Sequence, residues 1–374
     1  MLLYQRGLYV LTSFRHETAP ISNMSPNHVL TNSNIAELLA REAELASMPA
    51  QKALRRASRR AFMWPEEAAA LLTEGRSLTE LAAVGPYLES VIKRWLDRPP
   101  EFPEPPDVRR QFFTLTEARA ELAKKPVWLR SVRGDLQMHT TWSDGEASIL
   151  QMAQAAVERG YEYVAITDHS KRLKIAGGIN EEQLRRQGEE IAEVNDQVRH
   201  HGLMVLRSVE LNINPRGEGD MDPQSLKQLD LVLGCFHSSL RTKEDQTHRY
   251  IAALRNPDVH ILGHPRGRVY NYRLGLQADW SRVFGVAAEL DKAVEIDGYP
   301  DRQDLSLDLI RLAKKAGCRI SLGTDSHGVA QLRFMEYSAA SALLAGVPKD
   351  RILNFMPGET LLQWAATLGQ AAAA

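Results

Sequence analysis

Histidines and carboxylates recur along this 374-residue chain at the points where predicted strands end. The side chains at these points that could bind metal are, in chain order, Gln137, His139, Asp144, His169, Glu210, His237, His264, Asp325 and His327. The chain has only 11 histidines, and five of them belong to this set. A single histidine on a strand is usually a satisfied core or surface residue, but five at strand ends together with three carboxylates indicate a metal site.

The ligand types restrict the metal. Imidazole with carboxylate is the ligand set of zinc, manganese or iron, and the set contains no thiolate, which argues against a purely structural zinc site. So many ligands exceed the number that one ion accepts. The sequence therefore predicts two or three divalent ions, either Mn²⁺ or Zn²⁺ with Fe²⁺ as a further candidate. Glu210 is a carboxylate suited to bridging two of them.

Three further residues next to this set are candidates for a role in the reaction. Arg266 and Arg268 flank a glycine just after His264, where two guanidinium groups could bind a phosphate bidentately. The alternative is a pair of arginines that face solvent. Asp168 precedes His169, and we expect its carboxylate to orient that imidazole.

The stretch from residue 134 to 145 shows how strands would position these side chains. Leu136 and Met138 alternate with Gln137 and His139, as the two-residue period of a strand requires, and a polar Ser-Asp-Gly turn follows. From residue 132 onward, strand-like and helix-like segments alternate, which indicates parallel βα units in an α/β barrel. The seven predicted strands are 132–139, 162–167, 203–209, 230–236, 259–263, 292–296 and 319–323.

A different pattern precedes the barrel segment. Residues 27–98 predict a small all-α domain with helices near residue 35, at 50–62 and at 65–75, followed by two short helices around Gly85. This last segment resembles a helix-hairpin-helix, whose backbone amides approach a DNA phosphate, although Ala83 stands where the first glycine of the hairpin usually lies. The helix at 50–62 carries arginines at 55, 56, 59 and 60, which form either a DNA contact or a solvated helix face.

The remaining segments are predicted to be connections and ends. Residues 1–26 are expected to be a loose extension, and 99–130 a proline-rich linker with one short helix. The barrel domain is predicted to cover 131–366, and 367–374 to form a disordered tail.

Composition excludes several classes of protein. The formal net charge of −1 gives no overall attraction to nucleic acid, so such binding would need a local patch. No stretch reaches the roughly 18 apolar residues of a membrane span, and the amino terminus is a poor secretory signal. The two cysteines, Cys235 and Cys318, lie in apolar runs and are expected to be buried thiols, which fits a cytoplasmic protein. The sequence leaves the oligomeric state open.

The ordered motifs resemble those of the PHP (polymerase and histidinol phosphatase) superfamily. They are Asp-x-Gln-x-His-Thr-x-x-Ser-Asp-Gly, Ile-Thr-Asp-His, Val-Glu-Leu, Phe-His-Ser-Ser, Gly-His-Pro and Gly-Thr-Asp-Ser-His. The resemblance is greatest to the PHP domain of bacterial family X DNA polymerases. In those domains a glutamine also replaces the first histidine of the motif, as Gln137 does here. Residues 31–97 resemble the amino-terminal helical domain of those polymerases. Only about 37 residues separate Leu96 from Gly134, too few for the polymerase palm and thumb.

The resemblance implies a distorted (βα)7 PHP barrel, and it implies that the metal-binding set given above holds the family's ligands. It also implies metal-dependent hydrolysis of phosphoesters, in which bound ions polarise phosphoryl oxygens and lower the pKa of a bridging water toward about 7. The favoured interpretation is processing of DNA 3′ ends by a 3′–5′ exonuclease activity of the kind used in DNA repair. The first alternative is a small-molecule phosphatase of the histidinol-phosphatase type. The second is a non-enzymatic DNA-binding protein.

Overall fold

The computed structural model describes residues 29–101 and 103–371. The predicted loose extension at 1–26 lies outside the described residues. Within them, parallel strands surrounded by helices form a distorted α/β barrel, and a group of helices precedes it. In this part of the chain, no helix combines the length and the apolar character needed to cross a membrane.

Eight short strands form the inner layer of the barrel. They are β1 (Gly134–Met138), β2 (Tyr163–Ile166), β3 (Met204–Arg207), β4 (Glu210–Asn212), β5 (Leu233–Cys235), β6 (Ile261–Leu262), β7 (Ala293–Asp297) and β8 (Arg319–Gly323). Neighbouring strands pair in parallel, in the orders β1-β2-β3 and β4-β5-β6-β7-β8. The α/β class predicted from the alternating pattern is confirmed.

The two sheets join at both ends. A single bridge connects His169, which follows β2, with Glu210 at the start of β4. On the other side, the backbone N–H of His139 donates to the carbonyl of Ser326 at 2.7 Å, which brings the end of β1 beside the segment after β8. The strands therefore follow one another around a circuit, as a barrel requires.

The one strand predicted at 203–209 is instead interrupted. β3 ends at Arg207, and β4 begins at Glu210. The backbone N–H of Glu210 donates to the carbonyls of Thr167 and Asp168, each at 3.2 Å, so the chain steps before it continues along the path of β2. The polar Arg207 and Ser208 lie at this step, between the apolar Leu206 and Val209, and two polar residues within a strand-like segment do not by themselves indicate a break.

Among the described residues, four α-helices form the region that precedes the barrel. They are α1 (Asn32–Leu45), α2 (Ala50–Ala61), α3 (Ala68–Thr73) and α4 (Pro86–Asp97). α1 begins with a capping box, in which the Thr31 side chain accepts from the N–H of Asn34 and the Asn34 side chain accepts from the N–H of Thr31. Leu39, Leu54 and Ile92 are buried in a core that these helices share.

The turn before α4 has a left-handed residue at the position where a helix-hairpin-helix usually has its first glycine. Ala83 has a φ of 66°, and Gly85 is the N-cap residue of α4. This φ lies in the left-handed region, which glycine adopts at little cost and alanine does not. The position where the resemblance expects glycine is therefore one where the backbone favours glycine.

Replacing Ala83 by glycine should stabilise the protein. The left-handed conformation costs an L-residue roughly 1–2 kcal/mol, and the greater chain entropy of glycine takes back about 0.5–1 kcal/mol. We expect Ala83→Gly to raise the free energy of unfolding, measured in urea, by about 0.5–1 kcal/mol. Ala82→Gly is the matched control, since Ala82 has no positive φ, and it should be neutral or destabilising. Equal effects of the two substitutions would contradict strain at Ala83.

The remaining helices cover the barrel. They are α5 (Leu115–Ala123), α6 (Pro126–Leu129), α7 (Ile149–Glu158), α8 (Glu181–Val198), α9 (Pro223–Leu226), α10 (Thr247–Arg255), α11 (Trp280–Glu289), α12 (Leu307–Ala316), α13 (Met335–Ala345) and α14 (Gly358–Ala371). The barrel core includes Leu115 and Trp128. Part of the segment predicted as a linker therefore packs as barrel structure.

The predicted disordered tail at 367–374 is wrong over residues 367–371, which continue α14. Leu368 is buried in the same cluster as Leu361 and Trp364. This helical spacing extends the apolar face of α14 as far as Leu368. Residues 372–374 lie outside the described part.

The helical region packs directly on the barrel. Tyr270, in the loop after β6, is 2% exposed and belongs to the core of the helical region. Its ring lies 4.6 Å from that of Phe62, and its hydroxyl lies 3.3 Å from that of Ser58 on α2. Arg109, beyond the proline-rich segment, is buried, and its Nε donates to Glu37 on α1 at 2.8 Å. These buried contacts fix the position of α2 relative to the barrel.

Candidate metal centre

Eight of the nine predicted ligands lie at the carboxyl end of a strand or in the loop that follows, and Glu210 is the first residue of β4, just after the interruption that follows β3. Gln137 and His139 belong to the end of β1, Asp144 to the loop after β1, His169 to the end of β2, Glu210 to β4, His237 to the end of β5, His264 to the end of β6, and Asp325 and His327 to the segment after β8. Because the strands are parallel, these ends meet at one face of the barrel. The structure brings the whole set together.

The loop after β1 is shaped so that Asp144 returns to this face. A Cβ at Gly145 would lie 2.6 Å from the backbone of His139, so only glycine allows this close approach. The N–H of Gly145 donates to the carbonyl of Thr140 at 2.9 Å and closes the turn. Ser148 then begins α7 with a capping box.

Glu210 lies at the centre of the cluster and is fully buried. Its Oε1 is 2.7 Å from Nε2 of His237 and 2.8 Å from Nε2 of His264. Its Oε2 is 3.1 Å from Nε2 of His139 and accepts from Nε2 of Gln137 at 3.1 Å. The two carboxylate oxygens therefore face different sets of side chains, an arrangement that suits the predicted bridging role.

The histidine rings form a continuous chain of neighbours. The ring of His139 stacks at 4.4 Å on that of His169 and at 4.5 Å on that of His327. His237 lies 5.4 Å from His169 and 5.6 Å from His264. These imidazoles therefore lie close enough together to share bound ions.

The ligand atoms fall into four groups, within each of which the atoms lie within 4.8 Å of one another. The groups are His139, Asp144, His169 and His327; His169, Glu210 and His237; His139, Glu210 and Asp325; and Glu210, Cys235 and His264. Carboxylate and imidazole dominate all of them. This donor set fits divalent zinc, manganese or iron.

Several buried polar atoms of the cluster support this fit. Both ring nitrogens of His139, Nδ1 of His169, Oε1 of Gln137 and Oδ1 of Asp325 have no hydrogen-bond partner among the described residues. Leaving a buried polar atom unsatisfied costs about 1–3 kcal/mol. Coordination by metal ions would satisfy these atoms, which is the arrangement expected of a ligand cluster.

The charges within the cluster keep some of its groups, but not all, in the deprotonated form that binds metal. Burial opposes ionisation of Glu210, but the nearby His169 and His264 hold the pKa of its carboxyl well below the usual range. Burial lowers the pKa of His169 to about 3, so its imidazole stays neutral. Burial also disfavours a charged His264, but Glu210 raises the pKa of that histidine to about 10. A divalent ion would have to displace the proton that His264 holds.

Asp168 does not orient His169, contrary to the prediction. Its carboxylate accepts from the N–H of Thr140 at 2.8 Å and from Nε2 of Gln187 on α8 at 2.7 Å. Ser143 donates to it as well. Successive residues of an extended chain face opposite sides, so Asp168 points away from the cluster that His169 joins. Its role is to hold the loop that carries Asp144.

Arg268 is not a phosphate clamp. Its guanidinium donates to the carbonyls of Arg302 and Gln111, at 3.0 and 2.8 Å, and lies 3.7 Å from the ring centre of Phe112. The side chain is buried, and it joins the barrel to the segment before α5. Arg266 is half-buried with an Nε that has no hydrogen-bond partner among the described residues, and its phosphate-binding role stays a prediction.

Arg302 is a site residue that the sequence interpretation missed. It lies in the loop after β7, pairs with the carboxylate of Asp325 and is 4.0 Å from that of Asp297. Its side chain is 33% exposed, so part of it reaches solvent. The available signal was an arginine shortly after a strand end, the same signal that selected Arg266.

Cys235 is a second addition to the cluster. It lies on β5 in the group with Glu210 and His264. Burial raises the pKa of its thiol well above the usual range, so it stays protonated and is a poor ligand. Cys235 and Cys318 are both free and buried, which confirms the prediction made for them.

The sequence profile of the PHP domain matches residues 135–325, about half of the chain. The chain belongs to the PHP domain family. It is 35% identical over 227 residues to the DNA polymerase/3′-5′ exonuclease PolX of Bacillus subtilis, a match that covers 60% of this chain and only 40% of that protein. It is 30% identical over 235 residues to the probable phosphatase YcdX of Escherichia fergusonii, covering 61% of this chain and 91% of that protein.

A solved structure is also similar to this PHP chain. It is the histidinol phosphate phosphatase of Lactococcus lactis in complex with zinc, L-histidinol and phosphate, with a TM-score of 0.38 and 16% identity over 64% of this chain and 94% of that one. As a member of the PHP family, the chain is a hydrolase that acts on phosphoester bonds.

Proposed function

We propose that this PHP enzyme processes DNA from its 3′ end by hydrolysing the terminal phosphodiester bond. The observation that carries the proposal is the fixed position of the hairpin-bearing helical region beside the strand ends of the site. Tyr270, six residues after His264, is buried among the helices of that region. The Bacillus relative, whose name includes 3′-5′ exonuclease, supports the same substrate class.

In this proposal the cluster holds two or three divalent ions. The ligand sets are His139, Glu210 and Asp325 with Gln137; Asp144, His169 and His327; and His237 and His264 with Glu210. Bound ions supply Lewis acidity toward phosphoryl oxygens and lower the pKa of water. Arg302 reaches solvent next to Asp325, where its guanidinium can bind a substrate phosphoryl oxygen as negative charge develops.

Gln137→His should tighten metal binding at one position only. The amide is a weaker neutral donor than imidazole, and Gln137 stands beside Glu210 at the end of β1. We expect affinity at that position to rise about 10- to 100-fold in a titration against a competing chelator. The other positions serve as the internal control. Unchanged affinity at every position would show that Gln137 acts as a hydrogen-bond donor to Glu210 rather than as a ligand.

The proposed function is tested by comparing substrates under one set of metal conditions. Protein reconstituted with Mn²⁺ or Zn²⁺ is given a 5′-labelled single-stranded 12-mer and a panel of phosphomonoesters that includes 4-nitrophenyl phosphate and L-histidinol phosphate. We expect a ladder of products shortened from the 3′ end and slower turnover of the monoesters. A monoester turned over efficiently while the 12-mer stays intact would contradict the proposal.

That contrary result would favour the second candidate, a small-molecule phosphatase. One observation favours it already: the probable phosphatase of Escherichia fergusonii is matched over 91% of its length. The two candidates use the same metal centre and differ only in what the surrounding surface admits.

A further inference from the structure

A cleft with a volume of about 740 Å³ separates α2 from the loops of the barrel. One wall is the exposed face of α2. The opposite wall consists of Tyr299 to Asp301, after β7, and of the 3₁₀ segment Val329–Phe334, after β8. Glu146, from the loop after β1, also lines it.

The α2 wall is a row of cations. Its members, here called the α2 cation row, are Lys52, Arg55, Arg56, Arg59 and Arg60. Their spacing of three and four residues places them on one side of the helix. In the part of the chain that the structure describes, none of them forms a salt bridge. Some other surface arginines do: Arg76 pairs with three glutamates, Arg185 with two and Arg216 with one.

The opposite wall contributes one further cation and both carboxylates of the lining. Arg333 lines the cleft, and its buried Nε has no hydrogen-bond partner among the described residues. Glu146 and Asp301 are the acidic residues of the lining, so cations outnumber carboxylates there. Like charges held in a row without counter-charges attract an anion, and a concave wall concentrates that attraction.

The cleft leads to the candidate metal centre. Tyr299 lines the cleft, and its ring lies 6.3 Å from that of His327. The guanidinium carbon of Arg302 is 5.3 Å from the centre of the same tyrosine ring. The N–H of Glu146 donates to the carbonyl of His327 at 2.6 Å. Tyr299 therefore borders both the cleft and the ligand cluster.

We propose that this cleft binds the backbone of a single-stranded nucleic acid and leads its 3′ end to the metal centre. The proposal rests on the proposed function and adds where the strand lies. From Lys52 to Arg60 the helix rises about 12 Å, and a stacked strand advances about 3.4 Å along its axis for each phosphate. The α2 cation row therefore contacts on the order of three phosphates.

A single strand fits this cleft better than other polyanions. Tyr299 is half-buried at the metal end of the cleft and offers a ring on which an unpaired base can stack. An acidic polypeptide has no such flat face, and its carboxylates are less regularly spaced. Arginine also binds phosphate oxygens bidentately, which matches a row dominated by arginine.

The test replaces two members of the row in the full-length protein. Arg55→Gln/Arg59→Gln is compared with Arg94→Gln/Arg98→Gln, two exposed arginines with the same spacing at the end of α4. Binding of a fluorescent 12-mer oligothymidylate is followed by anisotropy in EDTA, so that no hydrolysis is needed. Each single-strand phosphate contact contributes about 0.7 to the salt dependence of log affinity.

We expect the α2 variant to bind about tenfold more weakly at physiological salt and to lose about 1.4 from that slope, while the α4 variant binds like the unaltered protein. Equal affinity of all three proteins overturns the proposal. So does an equal loss in the α4 variant, which would place the strand on the hairpin. Tight binding of polyglutamate that the α2 substitutions abolish would reassign the cleft to an acidic protein. Oligouridylate of the same length distinguishes RNA from DNA as the source of the strand.

This experiment separates the cleft from the chemistry. If the unaltered protein binds the 12-mer through the α2 cation row but releases no nucleotide with Mn²⁺ or Zn²⁺, the cleft proposal stands and the proposed function fails. If it hydrolyses the 12-mer and the α2 variant binds it normally, the proposed function stands and the cleft proposal fails.

Discussion

The Glu210→Gln variant should hydrolyse phosphoesters about a thousandfold more slowly than the unaltered protein, or slower still. Glu210 is the one carboxylate whose oxygens face both His139 and the pair His237 and His264. Glutamine keeps the shape but removes the negative charge and replaces one acceptor oxygen by a donor. Positions that share this carboxylate therefore lose metal together.

The effect is measured as kcat/KM with saturating Mn²⁺ or Zn²⁺, and bound metal is counted by elemental analysis. Glu218→Gln is the matched control, because Glu218 is exposed and bonds only to its neighbours Asn214 and Arg216. The control should keep its activity. Circular dichroism should show that both variants are folded. Near-normal rates and metal content in the Glu210→Gln protein would show that Glu210 is not a ligand of the metal centre.

Removal of divalent metal with EDTA should reduce hydrolysis to the background rate, and addition of Mn²⁺ or Zn²⁺ should restore it. The reason is that both ring nitrogens of His139, Nδ1 of His169 and Oδ1 of Asp325 are buried and form no hydrogen bond among the described residues. A ligand that binds only the folded state stabilises it by about 2.7 kcal/mol at a hundred times its Kd. The melting temperature should therefore rise on metal addition, independently of any substrate.

Magnesium in the same amount serves as the control, since it prefers oxygen ligands and keeps much of its hydration. It should restore less activity and less stability than Mn²⁺ or Zn²⁺. Elemental analysis should find more than one ion per chain after reconstitution. Fewer than one ion per chain, or full activity in excess EDTA, would show that the cluster is not a metal centre.

The strand ends and the residues they carry could be predicted because both signals are local. The alternation of Leu136 and Met138 with Gln137 and His139 defines which side chains share a face. Parallel strands then force the ends to meet, and the structure brings Asp144 and His327 to the same cluster. The signal at position 83, where the hairpin usually has a glycine, was also local. The φ of 66° at Ala83 agrees with that expectation.

The arginines could not be assigned in this way. Arg268 is near His264 in sequence, but Gly267 has a φ of 60°, and the turn sends the guanidinium toward Phe112. Arg302 reaches Asp325 through a loop whose path depends on tertiary packing. Long side chains after a strand end can leave in any direction, so sequence distance from a ligand carries little information about them.

Asp168 is a different case, because its misassignment was avoidable. The two-residue period already places it on the opposite side of the chain from His169. The interruption between β3 and β4 was not avoidable, since it follows from hydrogen bonds of Glu210 to Thr167 and Asp168 rather than from its own sequence.

The burial of Tyr270 among the helices has a consequence for how substrates are sorted. Swinging α1 and α2 together away from the barrel would expose that ring and would separate Arg109 from Glu37 on α1, and breaking a buried ion pair costs about 3–5 kcal/mol. The width of the cleft between α2 and the barrel loops should therefore stay constant. Substrates should then be selected by whether they fit the existing cleft, and not by whether they cause the protein to close around them. After its terminal nucleotide has been released, a strand can slide forward through the cleft without a conformational change of the protein.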